Sequence, residues 1–437
     1  MKSISTALPV DGDGESTTRS AAATLAADTD ATQTHPPSTF AAFRHRNFRL
    51  YAIGMLVSMA GSWMQIIAQG WLVYQISGSE WTLGLVGFAA AIPALIISPW
   101  AGVIIDHTPR RAILYITQLA ALTFALILAF LTFSGLVQVW HIIALAVGIG
   151  MVNAFDGPTR QAFVVEMVGK EDLPNAIAIN SMIFNGARIV GPAFGGLLLA
   201  WLGAGWCFLI NGFSFLGVIV ALYMMELAPY VRRVRLESPW AQLKEGLVYI
   251  QKREDLRRIL LQSTIFGVFG VSYGTVLPAY VDRVLHVGPA AYGMINAASG
   301  IGAVTSALFL ARHSSTLKRG WWVTIYALAF PFVLMAFAWA PSLAVALLLA
   351  FFLGLGFLGQ FTLLNTLLQT RVDDDRRGRV MAINSLIFFG IAPFGNLAIG
   401  AVSEIWGLSI TLTVSATITL LLSANNLLRN DTVRALP

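Results

Sequence analysis

Twelve separate stretches of this chain are long and apolar enough to cross a lipid bilayer as helices, and that pattern restricts the fold more than any other feature in it. Crossing about 30 Å of hydrocarbon takes roughly 20 largely apolar residues, because backbone amides left unpaired in lipid are too costly to keep. The stretches lie near residues 49–75, 82–105, 112–134, 138–160, 174–201, 205–226, 257–281, 290–312, 321–340, 342–370, 379–402 and 407–428. Of the 437 residues, 57% are hydrophobic and 11% charged. Soluble proteins carry about 25% charge and could not cover their surface with so little. A single cysteine excludes an internal disulfide, a zinc ribbon and a redox pair. The expected fold class is an all-α polytopic membrane protein.

The 28 lysines and arginines set the expected orientation. Loops at one end of the spans (76–81, 135–137, 202–204, 282–289, 341 and 403–406) hold one of them, Arg283. Arg188 lies inside the fifth span, so the other 26 fall on the opposite side or at its helix ends. The positive-inside rule makes that side cytoplasmic, with both termini on it. Miscounting by one span would scatter these charges over both faces, so the bias supports twelve. The net charge of +6 therefore reports topology and implies no nucleic-acid partner. Trp81, Trp140, Trp201, Trp339 and Trp406 stand near span ends, where amphipathic rings anchor at the interface.

Residues 1–40 are rich in Ser, Thr, Ala and Asp and have no apolar core of signal-peptide length, which reads as a disordered cytoplasmic tail. Residues 227–256 form the longest internal connection and begin with Arg232, Arg233 and Arg235. Within it Trp240, Leu243, Leu247 and Ile250 recur at helical spacing opposite Lys244, Glu245 and Lys252, as in an amphipathic helix lying on the inner leaflet. This linker separates two units of six spans, 41–226 and 257–437.

The two units echo one another. Residues 178–186 (AINSMIFNG) match 382–390 (AINSLIFFG) at seven of nine positions, with the Asn-Ser pair in register, at the start of the fifth and eleventh spans. A duplicated six-helix unit predicts two pseudo-symmetric six-helix bundles with a substrate site at their interface near the bilayer midplane.

Three motifs extend this reading. The second span ends in GVIIDHTPRR, residues 102–111, which resembles the loop signature G-x-x-x-D-R-x-G-R-R of the major facilitator superfamily. Gly102, Asp106, Arg110 and Arg111 match it, while His107 and Pro109 depart from it. Gly102 lets a neighbouring helix approach, and Asp106 can face a helix N-terminus across the seam between halves and pair with a nearby arginine. The corresponding loop after the eighth span keeps positive charge without an Asp, so the expected gate is asymmetric. In the fifth span Gly191, Pro192, Gly195 and Gly196 resemble the G-P-x-x-G-G core carried there by antiporters of that superfamily, with the proline expected to bend the helix. Finally, NAFDGPTRQAFVVEMV (153–168), NAIAINSMIFNGARIVGPAFGG (175–196) and FRHRNFRLYAIG (43–54) resemble the transmembrane secretion effector branch, which includes the enterobactin exporter and related macrolide and drug efflux carriers. The resemblance covers about 41–430 and implies a multi-pass exporter of the bacterial inner membrane, driven by the proton gradient.

Ionisable residues at membrane depth are functional candidates because a charge there is costly. Arg188 falls ~21 Å along a ~42 Å fifth span at 1.5 Å per residue, close to midplane. It is expected to point into a central cavity or pair with Asn153, Gln65, Gln69 or Asn185, and to attract a carboxylate or catecholate. Asp156 precedes Arg160 at i,i+4, although Gly157 and Pro158 interrupt that turn. Either it forms a local ion pair or it takes up a proton when the inner gate opens. Antiporters of the superfamily that pump drugs often carry an Arg in the fourth span and acids in the first. This sequence has neither away from the span ends, which weakens proton coupling relative to transport. Asn296, Gln360, Asn365, Gln369 and Asn384, with Phe266, Phe269, Tyr273 and Phe361, supply polar and aromatic points in the second half.

A proton-driven secondary exporter of small hydrophobic or siderophore-like compounds is therefore expected, with an importer or uniporter of the same fold as the alternative. Its partners are a small-molecule substrate and the bilayer, and a monomer is expected. No catalytic residue, metal site or cofactor is expected, because the six histidines are dispersed along the chain. The absence of a G-x-x-x-x-G-K-[ST] motif argues against a self-contained ATP-driven pump.

Overall fold

The computed structural model describes residues 40–226, 239–313, 317–429 and 431–436. Nearly all of the expected tail, and Arg232, Arg233 and Arg235, lie outside the described residues, as do the side chains of Trp240 and Leu243. In the first half the helices are α1 (Arg46–Ser77), α2 (Glu80–His107), α3 (Arg110–Phe133), α4 (Val139–Val168), α5 (Leu173–Leu202) and α6 (Ala204–Met224). They are followed by α7 (Pro239–Lys252), α8 (Glu254–Ile265), α9 (Leu277–Arg283), α10 (Pro289–Arg312), α11 (Arg319–Ala338) and α12 (Leu343–Arg371). The chain closes with α13 (Arg377–Leu386), α14 (Ala392–Trp406), α15 (Leu408–Leu428) and the short α16 (Asp431–Arg434). No strand occurs among the described residues.

Among the described residues eleven helical stretches are long and apolar enough to cross a membrane, with Glu254–Arg283 counted as one. The exception is the expected eleventh span, 379–402. The backbone there is helical from 377 to 406 but in three pieces, α13, a π-helical turn at Ile387–Ile391 and α14. Pro393 accounts for the break: it lacks the N–H that would bond residue 389, and its ring crowds that carbonyl, so the helix widens just ahead of it. The seventh span breaks differently: Pro278 lacks the N–H that would bond the Gly274 carbonyl, the chain ahead of it tightens into a 3-10 turn at Ser272–Val276, and a separate π turn lies further upstream at Phe266–Gly270. Pro158 and Pro192, by contrast, sit inside helices that continue unbroken past them.

Without a hydrophobic drive between helices in lipid, close van der Waals contact holds the helices together, and small residues make it possible. The halves meet most extensively where α5 lies on α10 and where α2 lies on α14. A Cβ added to Gly196 would stand 2.6 Å from Gly293 Cα and 3.0 Å from the Pro289 carbonyl oxygen. One added to Gly400 would stand 2.5 Å from the Glu80 carbonyl oxygen and 3.2 Å from Gly84 Cα. These two contacts correspond: Gly196 and Gly400 are 204 residues apart, the offset that also relates 178–186 to 382–390. The same offset joins Gly203 and Gly407, which end α5 and α14 with φ of 85° and 80°, a backbone region that glycine enters without strain. It also joins Gly150, packed on the Ala90 carbonyl, and Gly354, packed on that of Ser299. The repeat seen over nine residues in sequence thus extends to the contacts between helices.

The linker helix α7 forms, and it docks on α13 rather than standing alone. Gly246 lies against Ile383 and Arg379, Glu245 accepts from Arg379 Nη1 at 2.7 Å, and Tyr249 and Ile250 are buried, whereas Leu247 is 45% exposed. In the bend that follows, Arg253 donates to Asp255 from Nε at 3.0 Å and Nη2 at 2.8 Å, and this bond holds the guanidinium pKa above its ordinary value.

Gly354→Ala and Gly302→Ala test the packing. The new methyl groups would meet Ser299 O at 1.8 Å and Phe351 O at 1.9 Å, forcing α10 and α12 apart. Each should cost about 1–3 kcal/mol, the usual penalty of overpacking. Thermal unfolding in detergent should show a lower midpoint for both, and none for Gly186→Ala, where a Cβ meets nothing within 4 Å.

Candidate functional site

A cavity of about 560 Å³ lies between the halves, lined mainly by α1 to α6, with Gly274, Thr275, Pro278 and Tyr292 from the second half. Its polar wall comes from the first half. Gln65 and Gln69, one turn apart on α1, and Asn153 and Asp156 on α4 all border it, so four of the sequence-predicted substrate and coupling residues are brought together. Asn211 Nδ2 donates to Gln65 Oε1 at 2.6 Å, which orients the glutamine from α6.

Asp156 is the most heavily bonded of these groups. It accepts from Thr117 Oγ1 at 2.8 Å and Gln118 Nε2 at 2.9 Å on α3, and it is ion-paired with Arg160 one turn further along α4. The pair forms despite Gly157 and Pro158 because α4 stays helical through them and on to Val168. That continuation also explains what the sequence reading missed. Hydropathy places Arg160 at a helix end, yet it is 9% exposed, reaches the Tyr51 hydroxyl, and borders the cavity. An Arg does therefore stand within the fourth helix. The signal was present in the i,i+4 spacing and in the apolar run FVV that follows Arg160.

Arg188 is half-buried near the middle of α5 and is not part of the cavity lining. Its guanidinium lies 5.8 Å from the ring centre of Trp63 on α1 and 4.7 Å from that of Phe357 on α12. Among the described residues no carboxylate pairs with it. The amide partners expected from sequence do not engage it: Asn185 donates back along its own helix to the Ser181 carbonyl at 2.8 Å, and Gln65 is held by Asn211. The arginine is instead placed between two aromatic faces contributed by opposite halves, each able to attract it as a cation. Phe357 continues into a row of rings, with Phe361 at 6.2 Å and Phe388 4.9 Å beyond that.

The gating candidates separate into two groups. Gly191, Pro192, Gly195 and Gly196 are buried, and a Cβ at Gly191 would stand 2.6 Å from Ala60 O, so this motif seats α5 on α1 and, through Gly196, on α10. In the other group, Asp106 sits half-buried in the last turn of α2, and nothing lies within 4 Å of a Cβ at Gly102. Arg110 pairs with Glu166 on α4, and Arg111 donates to the Tyr223 carbonyl at 3.0 Å and lies over the Tyr115 ring. Both arginines are therefore tied within the first half, because α4 and α6 end beside the start of α3. Among the described residues no group of three His, Cys, Asp or Glu side chains could hold a metal ion.

Comparison with known proteins adds to this geometry. Residues 37–434 match the family model described as transmembrane secretion effector. The chain is 26% identical over 359 residues to the staphyloferrin A transporter of Staphylococcus aureus, covering 81% of this chain and 89% of that one. It is 27% identical over 374 residues to the multidrug efflux pump Tap of Mycolicibacterium fortuitum, covering 83% and 90%. A bacterial homologue of the human lysosomal transporter Spinster, solved inward-facing and unoccupied, superposes with a TM-score of 0.70 at 14% identity over 89% of this chain and 96% of that one, a likeness of fold alone.

Removing one partner of a buried ion pair strands the other. Arg160→Ala should therefore destabilise the protein by about 3–5 kcal/mol. Asp156→Asn combined with Arg160→Gln should recover most of that loss, because both charges leave together. Denaturation midpoints of the two variants in detergent measure the difference, and equal midpoints would mean the pair is not coupled.

Proposed function

The chain belongs to the transmembrane secretion effector family, and from that premise we propose that it exports small hydrophobic or siderophore-like compounds across the bacterial inner membrane as a proton antiporter. It is a multi-pass secondary transporter of small molecules and not an enzyme. In our reading the interrupted stretch 377–406 is the eleventh of twelve spans. Two six-helix bundles then alternate access to the cavity, both termini are cytoplasmic, and the protein works as a monomer.

Arg188 carries this reading. It presents a fork of N–H donors near midplane with no carboxylate partner among the described residues, flanked by Trp63 from one half and Phe357 from the other. Such a group takes a substrate carboxylate or catecholate by paired hydrogen bonds while the rings cover the apolar body. Because its two walls belong to different halves, the site changes when the halves move, and a ligand can bias that motion only by such a difference in binding. The names of the two relatives, one for staphyloferrin A and one for multidrug efflux, support a substrate of this range. For proton coupling we assign Asp156, the carboxylate that borders the cavity.

Liposomes holding the protein under an imposed pH gradient test both roles. Arg188→Ala should slow flux of anionic siderophores at least tenfold, since hydrogen bonds to a charged group contribute about 1.5–3 kcal/mol, and Arg188→Lys should restore little of it. Neutral dyes should be affected less. Asp156→Asn combined with Arg160→Gln, which leaves no stranded charge, should transport without responding to the gradient. Wild-type flux that ignores the gradient would end the antiport reading, and normal movement of anionic compounds by Arg188→Ala would end the binding role.

A further inference from the structure

The face of the molecule away from the basic loops carries a cluster of charge with no part in the site above. α1 ends at Gly78 (φ 62°), and α2 begins two residues later with the Ser79 hydroxyl capping Thr82 N–H at 3.3 Å. This tight turn folds the Glu80 side chain inward, where it is 1% exposed. Glu80 Oε1 accepts from Arg283 Nη1 at 2.7 Å, and Arg283 Nη2 also donates to the Gly78 carbonyl at 2.6 Å. Glu80 Oε2 is buried with no donor. Across the seam stands Glu404 of α14, whose Oε2 accepts from the residues on either side of Glu80, Ser79 Oγ at 2.9 Å and Trp81 N–H at 3.2 Å. Glu404 is exposed to solvent. The charged and titratable groups facing the cluster are Tyr74 of α1, whose ring lies under Arg283, Asp282 and Arg283 of α9, and Glu404 of α14.

Glu80, Glu404 and Arg283 together leave one negative charge uncompensated and one buried oxygen unsatisfied, and Asp282 beside them supplies no counter-charge. A single proton shared between Glu80 and Glu404 removes both defects, since a protonated carboxyl is a donor. Packing alone does not require these acids. At the corresponding seam, where Gly196 meets Gly293, the positions matching Glu80 and Glu404 are Pro289 and Ala200, and the helices approach just as closely. We propose that Glu80 and Glu404 form a proton-binding site that latches this face of the transporter, holding one proton when α2, α9 and α14 are together and releasing it when they part. Glu404 exchanges the proton with water, and Glu80 buries it. The inference is independent of the roles given to Arg188 and Asp156.

A state that binds one more proton than its alternative gains population as pH falls, by at most tenfold per pH unit. Spin labels at Leu136→Cys and Ser342→Cys, on exposed loops of the two halves at this face, report its opening by pulsed dipolar distance measurement in nanodiscs. In the wild-type background the short-distance population should grow as pH is lowered from 9 to 5. Glu80→Gln supplies the missing donor from its amide and should stay closed with a flat profile. Glu404→Gln, at the solvent-exposed carboxyl, should flatten it as well and serves if Glu80→Gln does not fold. A wild-type distribution that does not move with pH, or variants that titrate like the wild type, would overturn the proposal.

Discussion

Hydrocarbon offers no hydrogen bonds and no counter-ions, and nearly every feature of this chain follows from being folded in it. Backbone groups must be paired within each span, which leaves helices as the building unit. Helices already surrounded by lipid gain little from burying more apolar surface, so their association rests on how closely they can approach. That is why glycines, rather than large side chains, stand at the decisive contacts: Gly354 on Ser299, Gly196 on Gly293, and Gly400 on the first turn of α2. A methyl group at any of these places would occupy space already held by backbone atoms.

The same solvent sorts the charges inside the protein into two kinds. Asp156 and Arg160 satisfy each other, with Thr117 and Gln118 supplying further donors, so both charges are compensated within the first half. Arg188 is different. Its partners are the faces of Trp63 and Phe357, which attract a cation without consuming its directional N–H donors. Because one ring belongs to each half, its surroundings also depend on how the halves stand.

Much of this was legible in the sequence for a physical reason: the bilayer imposes a length and a polarity on every crossing, and charge asymmetry labels the faces. Eleven of the twelve expected spans and the duplicated register could be read directly. Local departures could not. Pro278 and Pro393 break their helices whereas Pro158 and Pro192 do not, and an unpaired backbone group becomes visible only once its neighbours are known. Falling hydropathy marks Arg160 as a helix end, though α4 continues to Val168. The linker helix was read from the spacing of Leu247 and Ile250, but the docked face is centred on Gly246, which no hydrophobicity scale would select. Depth along the spans points to amides as the partners of Arg188. The aromatic alternative depends on how α1, α5 and α12 meet, which a single sequence does not encode locally.

The duplication also separates what is needed to close the protein from what has been added to it. Both seams between the halves use the same device, a glycine on one helix set against the first turn of another, at positions related by the repeat offset. One seam is apolar, with Trp71 stacked on Tyr292 at 6.1 Å nearby. The other carries Glu80, Arg283 and Glu404. Apolar contacts respond weakly to pH, whereas a buried carboxylate facing a second one keeps its charge only at a cost. If the two halves move as bodies, neither seam opens without the other, so a titratable group is needed at only one of them to bias the whole face. Charge confined to one of two matched contacts is therefore the economical arrangement for a proton-sensitive latch, and a duplicated fold reaches it by changing a few side chains in one copy.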